Sequence, residues 1–574
     1  MKTNEPNPSG ARTPTSAASS SSAAPAADVG VHAPLASGSS RREEALTECG
    51  MRNAECGIPK GAPVAAARAG DLQSPPETPG TSQPASVSHP PDGDCKSPAR
   101  PTALDWRSAL GWVLAGAASF HLAFLYAPLA FLIGVYLFAL FRLSTLATPR
   151  RALWAGVAMG FLCFAPQLGF FYRIFSFSAV ALWSVLAFWL GMYVFAQHLV
   201  WARFGPRAAA WLAPVLWLGF EFFRSELYYL RFTWLSAGYA FAEGENLPLL
   251  YWPGVYGAGA LVMLAATWGT LLSRRGALRW WTAWTVALAT LCSVPLYDWL
   301  KQPGAYSGPG PTRIAGIQIE HKHDLEVLEA LKKLRATHPE AEVLVLSELA
   351  FDGPVPARVR KWCAQEKIFL VAGGKDPISE DGKVFYNSVF VISPEGEVVH
   401  RQAKTIPIQF MADGQPAPSQ KPFPLPNSMT GFCICYDLSF TRVTDELIRQ
   451  GSRLLIVPTA DEIEWGAYEH RLHGRIAPTR AAEHRVALFR LASSGISQAV
   501  NRDGKVLASA PYPGELATLA MNERTLYPTR IPPDRWLGRI SAVVAWGMFG
   551  WLALAAWRKP KVPPQTSTAS NPKS

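Results

Sequence analysis

Charge is the first scarcity: only 17% of the 574 residues are Asp, Glu, Lys or Arg, against roughly 25% in soluble proteins. Together with 49% hydrophobic residues, that excludes a wholly soluble chain. Acidic residues are scarcer than basic ones, 43 against 54, leaving a net charge of +11. The excess does not read as a nucleic-acid surface, because the arginines stand in short clusters beside apolar runs, where they act as topology signals. Cysteine is sparse at 8 residues. The three in the N-terminal stretch, Cys49, Cys56 and Cys95, match none of the usual zinc spacings. Residues 1–104 also have next to no aromatics and no apolar periodicity. Such a stretch cannot bury enough surface to offset chain entropy and reads as a disordered tail. It lacks the charged n-region and apolar core of a cleavable signal peptide.

From Trp106 the composition reverses. Apolar runs of spanning length fall near 108–124, 126–143, 152–172, 178–201, 208–223, 255–272 and 280–299, and an eighth near 538–557. The expected domains are therefore a tail (1–104), a seven-span helical bundle (105–300), a soluble domain (301–537), a final span (538–558) and a C-terminal tail (559–574). Basic residues follow alternate runs: Arg142, Arg150 and Arg151 after the second, Arg203 and Arg207 after the fourth, Arg274, Arg275 and Arg279 after the sixth, and Arg558, Lys559 and Lys561 after the eighth. The loops after the third and fifth carry fewer, Arg173 in one and Arg224 and Arg231 in the other, the latter among Glu221, Glu226, Glu243 and Glu245. Cytoplasmic loops collect Lys and Arg. Both termini are then expected in the cytoplasm and the soluble domain on the outer face.

Between residues 311 and 522 short β-rich runs alternate with helical ones, the pattern of an α/β domain. Strands are expected over 312–318, 343–346, 368–373, 384–392, 397–402, 429–435 and 454–458, with helices over 325–338, 357–366, 440–450 and 469–485. Glu348 directly follows a strand, where ligand and catalytic groups gather in α/β sheets, although a lone Glu there is more often a cap or solvated. Lys404 follows a strand pair joined by Pro394-Glu395-Gly396-Glu397, and taken alone is an exposed edge lysine. Cys435 ends the run Thr430-Gly431-Phe432-Cys433-Ile434-Cys435. A thiol at a strand-to-helix turn can be exposed and acidified by the helix N-terminus; the commoner fate is a packed core cysteine. Cys433 and Cys435 alternate along the strand, so Cys433 is read as the buried one.

The ordered set Glu348, Lys404 and Cys435, separated by 56 and 31 residues, resembles the Glu-Lys-Cys triad of the nitrilase (carbon-nitrogen hydrolase) superfamily. The runs Arg480-Ala481-Ala482-Glu483-His484-Arg485-Val486-Ala487, Ala492-Ser493-Ser494-Gly495-Ile496-Ser497 and Asp503-Gly504-Lys505-Val506 look like its closing segment. An eight-span frame with such a domain before the last span is similar to the apolipoprotein N-acyltransferases, whose membrane-half motifs Phe232-Thr233-Trp234-Leu235 and Gly254-Val255-Tyr256-Gly257 resemble. The resemblance implies an αββα nitrilase-like domain on the periplasmic face of a bacterial inner membrane. It also implies ping-pong N-acylation of the N-terminal diacylglyceryl-cysteine of an apolipoprotein, with a phospholipid as acyl donor. Cys435 would be the nucleophile that carries the acyl group as a thioester, Glu348 the general base and acid, and Lys404 the oxyanion stabiliser. No metal, cofactor or nucleic acid is called for. The same triad would serve a membrane-anchored amidase or transfer to another amine, and an idle interaction module is a third reading.

Some positions depart from the pattern. The family's Lys-x-x-Leu-Val-Pro-Phe-Gly-Glu appears as Lys404-Thr405-Ile406-Pro407-Ile408-Gln409-Phe410-Met411-Ala412, with Asp413 one position beyond the missing Glu. Cys-Tyr-Glu becomes Cys435-Tyr436-Asp437. The Asn-Asp-x-Trp-Phe-Gly loop is Ala460-Asp461-Glu462-Ile463-Glu464-Trp465-Gly466, which keeps Trp465, and the first strand lacks the usual Gln-Gly-Asn-Ile-Pro-Gln. Tyr436, Asp437, Asp413 and Trp465 are therefore the expected supporting residues. His470, His473 and His484, among Arg471, Arg475 and Arg480, read as a solvated basic helix face or a headgroup-binding one. Glu221 and Arg224 could pair near the end of the fifth run, and His121 has no evident partner. The segments 405–425 and 459–470 are candidate lids.

Overall fold

The computed structural model describes residues 104–272, 310–320, 323–510, 512–514, 516–525 and 528–557. All but the last residue of the expected tail 1–104, the seventh run at 280–299, Arg274, Arg275, Arg279, Arg558 and the segment 559–574 lie outside the described residues.

Helices form on the apolar runs. The first, α1 (Trp106–Leu125), is capped by Asp105, whose side chain accepts from the Ser108 N–H. A 3₁₀ stretch Ala127–Leu132 runs into α2 (Ile133–Leu143), so the second run is bent at its start, where Pro128 sits without cost to the hydrogen-bond ladder. After α3 (Pro149–Gln167), capped by Thr148, and the short α4 (Phe171–Phe175) comes α5 (Ser178–Phe222). Its 45 residues take in both the fourth and fifth runs, with a break at Gly205 (φ 82°, ψ 177°) before Pro206. Two 3₁₀ segments, Ala237–Phe241 and Gly244–Leu250, lead to α6 (Gly254–Leu272). Among the described residues three helices are long and apolar enough to cross a membrane, at Trp106–Leu125, Ser178–Leu227 and Asp534–Ala555. A fourth counts if Gly244–Leu250 and Gly254–Trp268, bent by 92°, form one span. The sequence reading places seven of its eight runs within these residues. Its count and this one differ because α5 absorbs two runs, α2 is short and α3 opens on Pro149-Arg150-Arg151, which leaves it less apolar.

Two six-stranded sheets make up the α/β part. In chain order come β1 (Thr312–Ile317), α7 (Asp324–Thr337), β2 (Val343–Val345), α8 (Ala357–Glu366), β3 (Phe369–Pro377), β4 (Phe385–Ile392) and β5 (Val398–Ala403). The second half repeats the plan with β6 (Phe423–Leu425), β7 (Ser428–Phe432), α9 (Thr441–Arg449), β8 (Leu454–Thr459), α10 (Ala467–Gly474), α11 (Ile476–His484) and β9 (Ala487–Ala492). The strands β10 (Ser497–Val500), β11 (Val506–Ala510) and β12 (Thr518–Glu523) close it. The sheet orders are β12-β1-β2-β3-β4-β5 and β11-β10-β9-β8-β7-β6, and β1-β2-β3 and β7-β8-β9 run parallel. Period-two alternation decides which residues face where. Val343, Val345 and Val371 turn toward the second sheet, while Leu344, Leu346 and Leu370 turn outward under α7 and α8, against Leu331 and Val359. The carboxyl ends of β2 and β8 and the end of β7 thus meet on one side.

That side abuts the helices. The last helix, α12 (Asp534–Trp557), opens with Asp534 and Arg535. Arg535 binds Glu483 at 2.9 Å and Asp445 at 3.3 Å; Glu483 also binds Arg480 at 2.6 Å and accepts the Val255 N–H at 2.6 Å. These charges are all buried, a state tolerated only when each is paired. Asp534 accepts the N–H of Tyr256 at 3.0 Å at the head of α6. Gly254, at φ +73°, is what allows this approach, since a Cβ there would overlap the Asp534 carboxylate. Trp234 donates to Ser439 Oγ at 2.9 Å and Tyr436 to the Arg231 carbonyl at 2.9 Å.

The expected basic helix over 469–485 is instead two helices meeting at Arg475, and most of it is buried rather than solvated. Its charges have partners elsewhere: Arg475 and Arg471 on Glu243, His473 on Asp461, His484 beside Asp445. Glu221 and Arg224 stand 3.8 Å apart. His121 is also partnered, by Gln167 at 2.9 Å and the Leu162 carbonyl at 3.0 Å.

Candidate active site

Glu348 leaves β2 three residues past its end, with Leu349 at φ +50° turning the chain. Gly373 on β3 permits this turn, because a side chain there would overlap Ser347 and Glu348 backbone. The Glu348 carboxylate accepts from Lys404 Nζ at 2.8 Å and Asn387 Nδ2 at 2.6 Å on one oxygen, and from the Ala460 N–H at 2.7 Å on the other. Lys404, just past β5, is not an exposed edge lysine but is 1% exposed. It also meets Asp413 at 2.6 Å, whose carboxylate accepts from Asn387 Nδ2 at 2.7 Å and the Ile408 N–H at 2.8 Å. Asn387, on β4, joins the two carboxylates and is a site residue that sequence reasoning missed. Its only signal is its place opposite the start of the Lys404 loop, where its carbonyl accepts the Lys404 N–H at 2.7 Å.

Cys435 follows β7 at φ +49°, in a left-handed conformation that is strained for a side-chain-bearing residue. It opens a 3₁₀ turn, Cys435–Ser439, rather than ending a strand. Asp437 fastens that turn by accepting the N–H groups of Ile406 at 2.7 Å, Thr405 at 3.0 Å and Ile434 at 3.3 Å. One carboxylate therefore ties the Cys435 turn to the Lys404 loop. Tyr436 packs edge-on against Phe440 and beside Trp234. Both Cys433 and Cys435 are buried, but Cys435 faces a pocket, with its Sγ 3.8 Å from the Ala460 carbonyl. Trp465, in the 3₁₀ turn Ile463–Trp465, lines the same pocket. So do Phe170, Phe171 and Leu186 from the helical part and Phe410 and Met411 from the loop after Lys404.

Burial and charge set the protonation states. Burial works against the Lys404 cation, but Glu348 and Asp413 outweigh it and hold the ammonium well above its ordinary range. Glu348 is pushed up by burial and by Asp413, with Lys404 opposing. Cys435 is not an acidified thiol: burial, then Glu348, Asp461 and Asp413, push it well above its usual value against Lys404. It rests as a thiol beside a carboxylate of raised proton affinity, which can take its proton when an electrophile arrives. Burial likewise lifts Asp437 to about 6.

A second polar group adjoins the thiol. Cys435, Asp461 and His473 each bring one ligand-type atom within 4.8 Å of the others, as do Asp461, Glu469 and His470. Asp461 is already neutralised by Arg490, with Nη2 at 2.5 Å, so a cation bound there would face a resident guanidinium.

Residues 110–268 match the family profile described as the apolipoprotein N-acyltransferase N-terminal domain, and residues 317–530 that of the carbon-nitrogen hydrolases. An apolipoprotein N-acyltransferase of Geobacter metallireducens is 26% identical over 49% of this chain and 62% of its own length. Apolipoprotein N-acyltransferase 2 of Treponema denticola is 27% identical over 23% of this chain and 30% of its own. The chain thus spans less than two thirds of these relatives. Among solved structures, an amidase from Nesterenkonia sp. shares 19% identity over 39% of this chain and 94% of its own, with a TM-score of 0.33.

Proposed function

We propose that this chain, whose residues 110–268 and 317–530 match the apolipoprotein N-acyltransferase N-terminal and carbon-nitrogen hydrolase profiles, is an apolipoprotein N-acyltransferase-like protein that transfers an acyl chain from a membrane phospholipid to the N-terminal amine of a diacylated apolipoprotein. The observation that carries the reading is that Cys435, with the paired Glu348 and Lys404 acting on its thiol, opens into a pocket whose wall is apolar and partly built by the membrane-type helices. An amidase of small soluble substrates has no need of such a wall; a fatty acyl chain does.

In the first half-reaction Glu348 takes the Cys435 proton as sulfur attacks the donor ester carbonyl. The oxyanion forms beside Lys404, whose fixed charge stabilises it. The ester C–O bond then breaks, Glu348 protonates the departing lysophospholipid oxygen, and the acyl group remains on Cys435 as a thioester. In the second half the acceptor amine attacks that thioester and the thiolate recovers a proton. Asn387, Asp413 and Asp437 hold the triad, and no step calls on a metal.

The membrane arrangement is part of the proposal. At about 1.5 Å per residue the 45 residues of α5 reach about twice the 30 Å of a bilayer core, so the break at Gly205 is read as a turn between two spans. With α1, α2, α3, α6, α12 and the run at 280–299 this gives eight. Arg142, Arg150, Arg151, Arg203 and Arg207 stand at the helix ends away from the α/β part, while Phe124, Gln167 and Val255 at the opposite ends touch it. By the positive-inside rule, this supports a periplasmic α/β domain and cytoplasmic termini in a bacterial inner membrane.

The test is intact-mass analysis of the detergent-solubilised chain after incubation with a defined phospholipid, followed by a diacylated lipopeptide. A hydroxylamine-sensitive acyl adduct absent from Cys435→Ala and discharged onto the lipopeptide amine is expected. Discharge only to water or another amine would overturn the acceptor, and no adduct with any phospholipid would overturn acyl transfer.

A further inference from the structure

The second half-reaction poses a proton problem that Glu348 does not solve alone. An α-amine has a pKa of about 8, so the acceptor arrives largely as an ammonium ion. It must lose one proton to gain a lone pair and another as the amide forms. Glu348 is one base, and both its oxygens already accept hydrogen bonds, from Lys404, Asn387 and Ala460.

His473 also lies beside the thiol. It is 2% exposed and lines the pocket with Cys435, Trp465 and Glu469. Its Nδ1 is 2.7 Å from Asp461 Oδ1. Asp461 is held ionised, well below the usual carboxylate range, because Arg490 and His473 outweigh its burial. An ionised carboxylate only accepts, so Nδ1 carries the hydrogen and Nε2 presents a lone pair. That Nε2 is buried without a hydrogen-bond partner. Trp234 stacks on the ring at 4.7 Å and an interplanar angle of 17°, fixing its plane. One ring nitrogen, Cys435 Sγ and an Asp461 oxygen lie within 4.8 Å of one another.

We infer that the Asp461–His473 pair is a second proton acceptor of this site, dedicated to stripping the incoming acceptor ammonium before it attacks the Cys435 thioester. The inference rests on the acyl-transfer reading above and deepens it. Nε2 takes a proton from the ammonium, and Asp461 holds the imidazolium formed. The neutral amine attacks the thioester carbon, making the C–N bond and an oxyanion at Lys404. Glu348 takes the second amine proton, the C–S bond breaks, and that proton passes to the departing thiolate. The imidazolium then releases its proton to water. Besides Asp461, the charged or titratable groups facing the ring are Arg490 from β9, Glu469 and His470 from its own helix, and Cys435. Burial lowers the His473 pKa against the pull of Asp461, so the resting ring is neutral.

The two half-reactions are measured separately by intact mass, in the native chain and in His473→Asn, which keeps a donor for Asp461 but lacks Nε2. Acylation by phospholipid should stay within about threefold of native, while discharge onto the lipopeptide at pH 7 slows by about 10²-fold. Discharge onto hydroxylamine, already neutral at pH 7, should be spared. Native discharge onto the lipopeptide should be level from pH 7 upward, whereas in the variant it climbs through the amine's own pKa of about 8. Equal slowing of acylation and of both discharges would make His473 merely structural and overturn the inference. Should the variant not fold, the native profile decides: a climb through about pH 8 in the native chain overturns it. Failure of the native thioester to reach the lipopeptide while hydroxylamine discharges it counts against the acceptor assignment instead.

Discussion

Asp413 Oδ2 lies 2.6 Å from Lys404 Nζ, and the ammonium is shared between this carboxylate and that of Glu348 at 2.8 Å. The residue one place past Ala412 therefore supplies a second counter-charge. With it present, Glu348 does not neutralise Lys404 alone and keeps more of its affinity for a proton.

Replacing Asp413 by Ala leaves Glu348 as the sole partner of Lys404 and makes it a weaker base. Acylation of Cys435 by phospholipid should slow by about 10- to 100-fold. The acid limb of its pH profile should move to lower pH, because removing a negative neighbour lowers the Glu348 pKa. Single-turnover intact-mass kinetics between pH 4 and 8 measure both.

Glu348→Gln and Lys404→Met should part company. The Gln variant retains the Lys404–Asp413 pair at 2.6 Å and should fold close to normally while losing at least about 10²-fold in acylation. The Met variant strands two buried carboxylates and should lose about 3–5 kcal/mol of stability, read as a fall in thermal midpoint in detergent.

His484 donates toward the Arg530 carbonyl and meets Thr444 Oγ1, each at 3.0 Å. Burial, opposed by Asp445, pushes its pKa down to about 4. In the unfolded chain it titrates near 6.5, so the unfolded state binds the extra proton first. Stability is then full above about pH 6.5 and falls as the pH drops toward about 4, by up to about 3 kcal/mol. His484→Gln should flatten that limb in thermal melts taken from pH 7 to 4.5.

Gly254→Ala should be harmful out of proportion to its size. It adds a Cβ at φ +73° where the Asp534 carboxylate already sits, so it strains the backbone and displaces the acceptor of the Tyr256 N–H. A loss of about 2–4 kcal/mol is expected, measured by thermal unfolding, whereas Gly547→Ala, with nothing within 4 Å of a Cβ, should be near neutral.

Periodicity made the α/β class readable: runs such as Val343-Leu344-Val345-Leu346 can be buried on both faces only inside a layered sheet, and there they are. The spacing of Glu348, Lys404 and Cys435 singled out residues that the fold brings near one another, Glu348 and Lys404 as a pair at 2.8 Å whose charges both act on the Cys435 thiol. Burial was not readable in the same way. Lys404 looks like a surface lysine until Glu348, from the end of a different strand, and Asp413, from its own loop, are placed on it. The 469–485 segment looks like a solvated basic helix until Asp461, Glu243 and Asp445 are seen opposite its charges. Those partners lie up to 232 residues away in sequence, beyond any local pattern. Asn387 carries no motif at all.

The seam between the helices and the α/β part is written in both at once. Thr233 and Trp234 bind Ser439, and Val255 binds Glu483, through bonds of 3.2, 2.9 and 2.6 Å. The halves of this chain are accordingly not interchangeable modules. A chimera that took its helices from one homologue and its α/β part from another would have to carry both sides of that seam from the same parent.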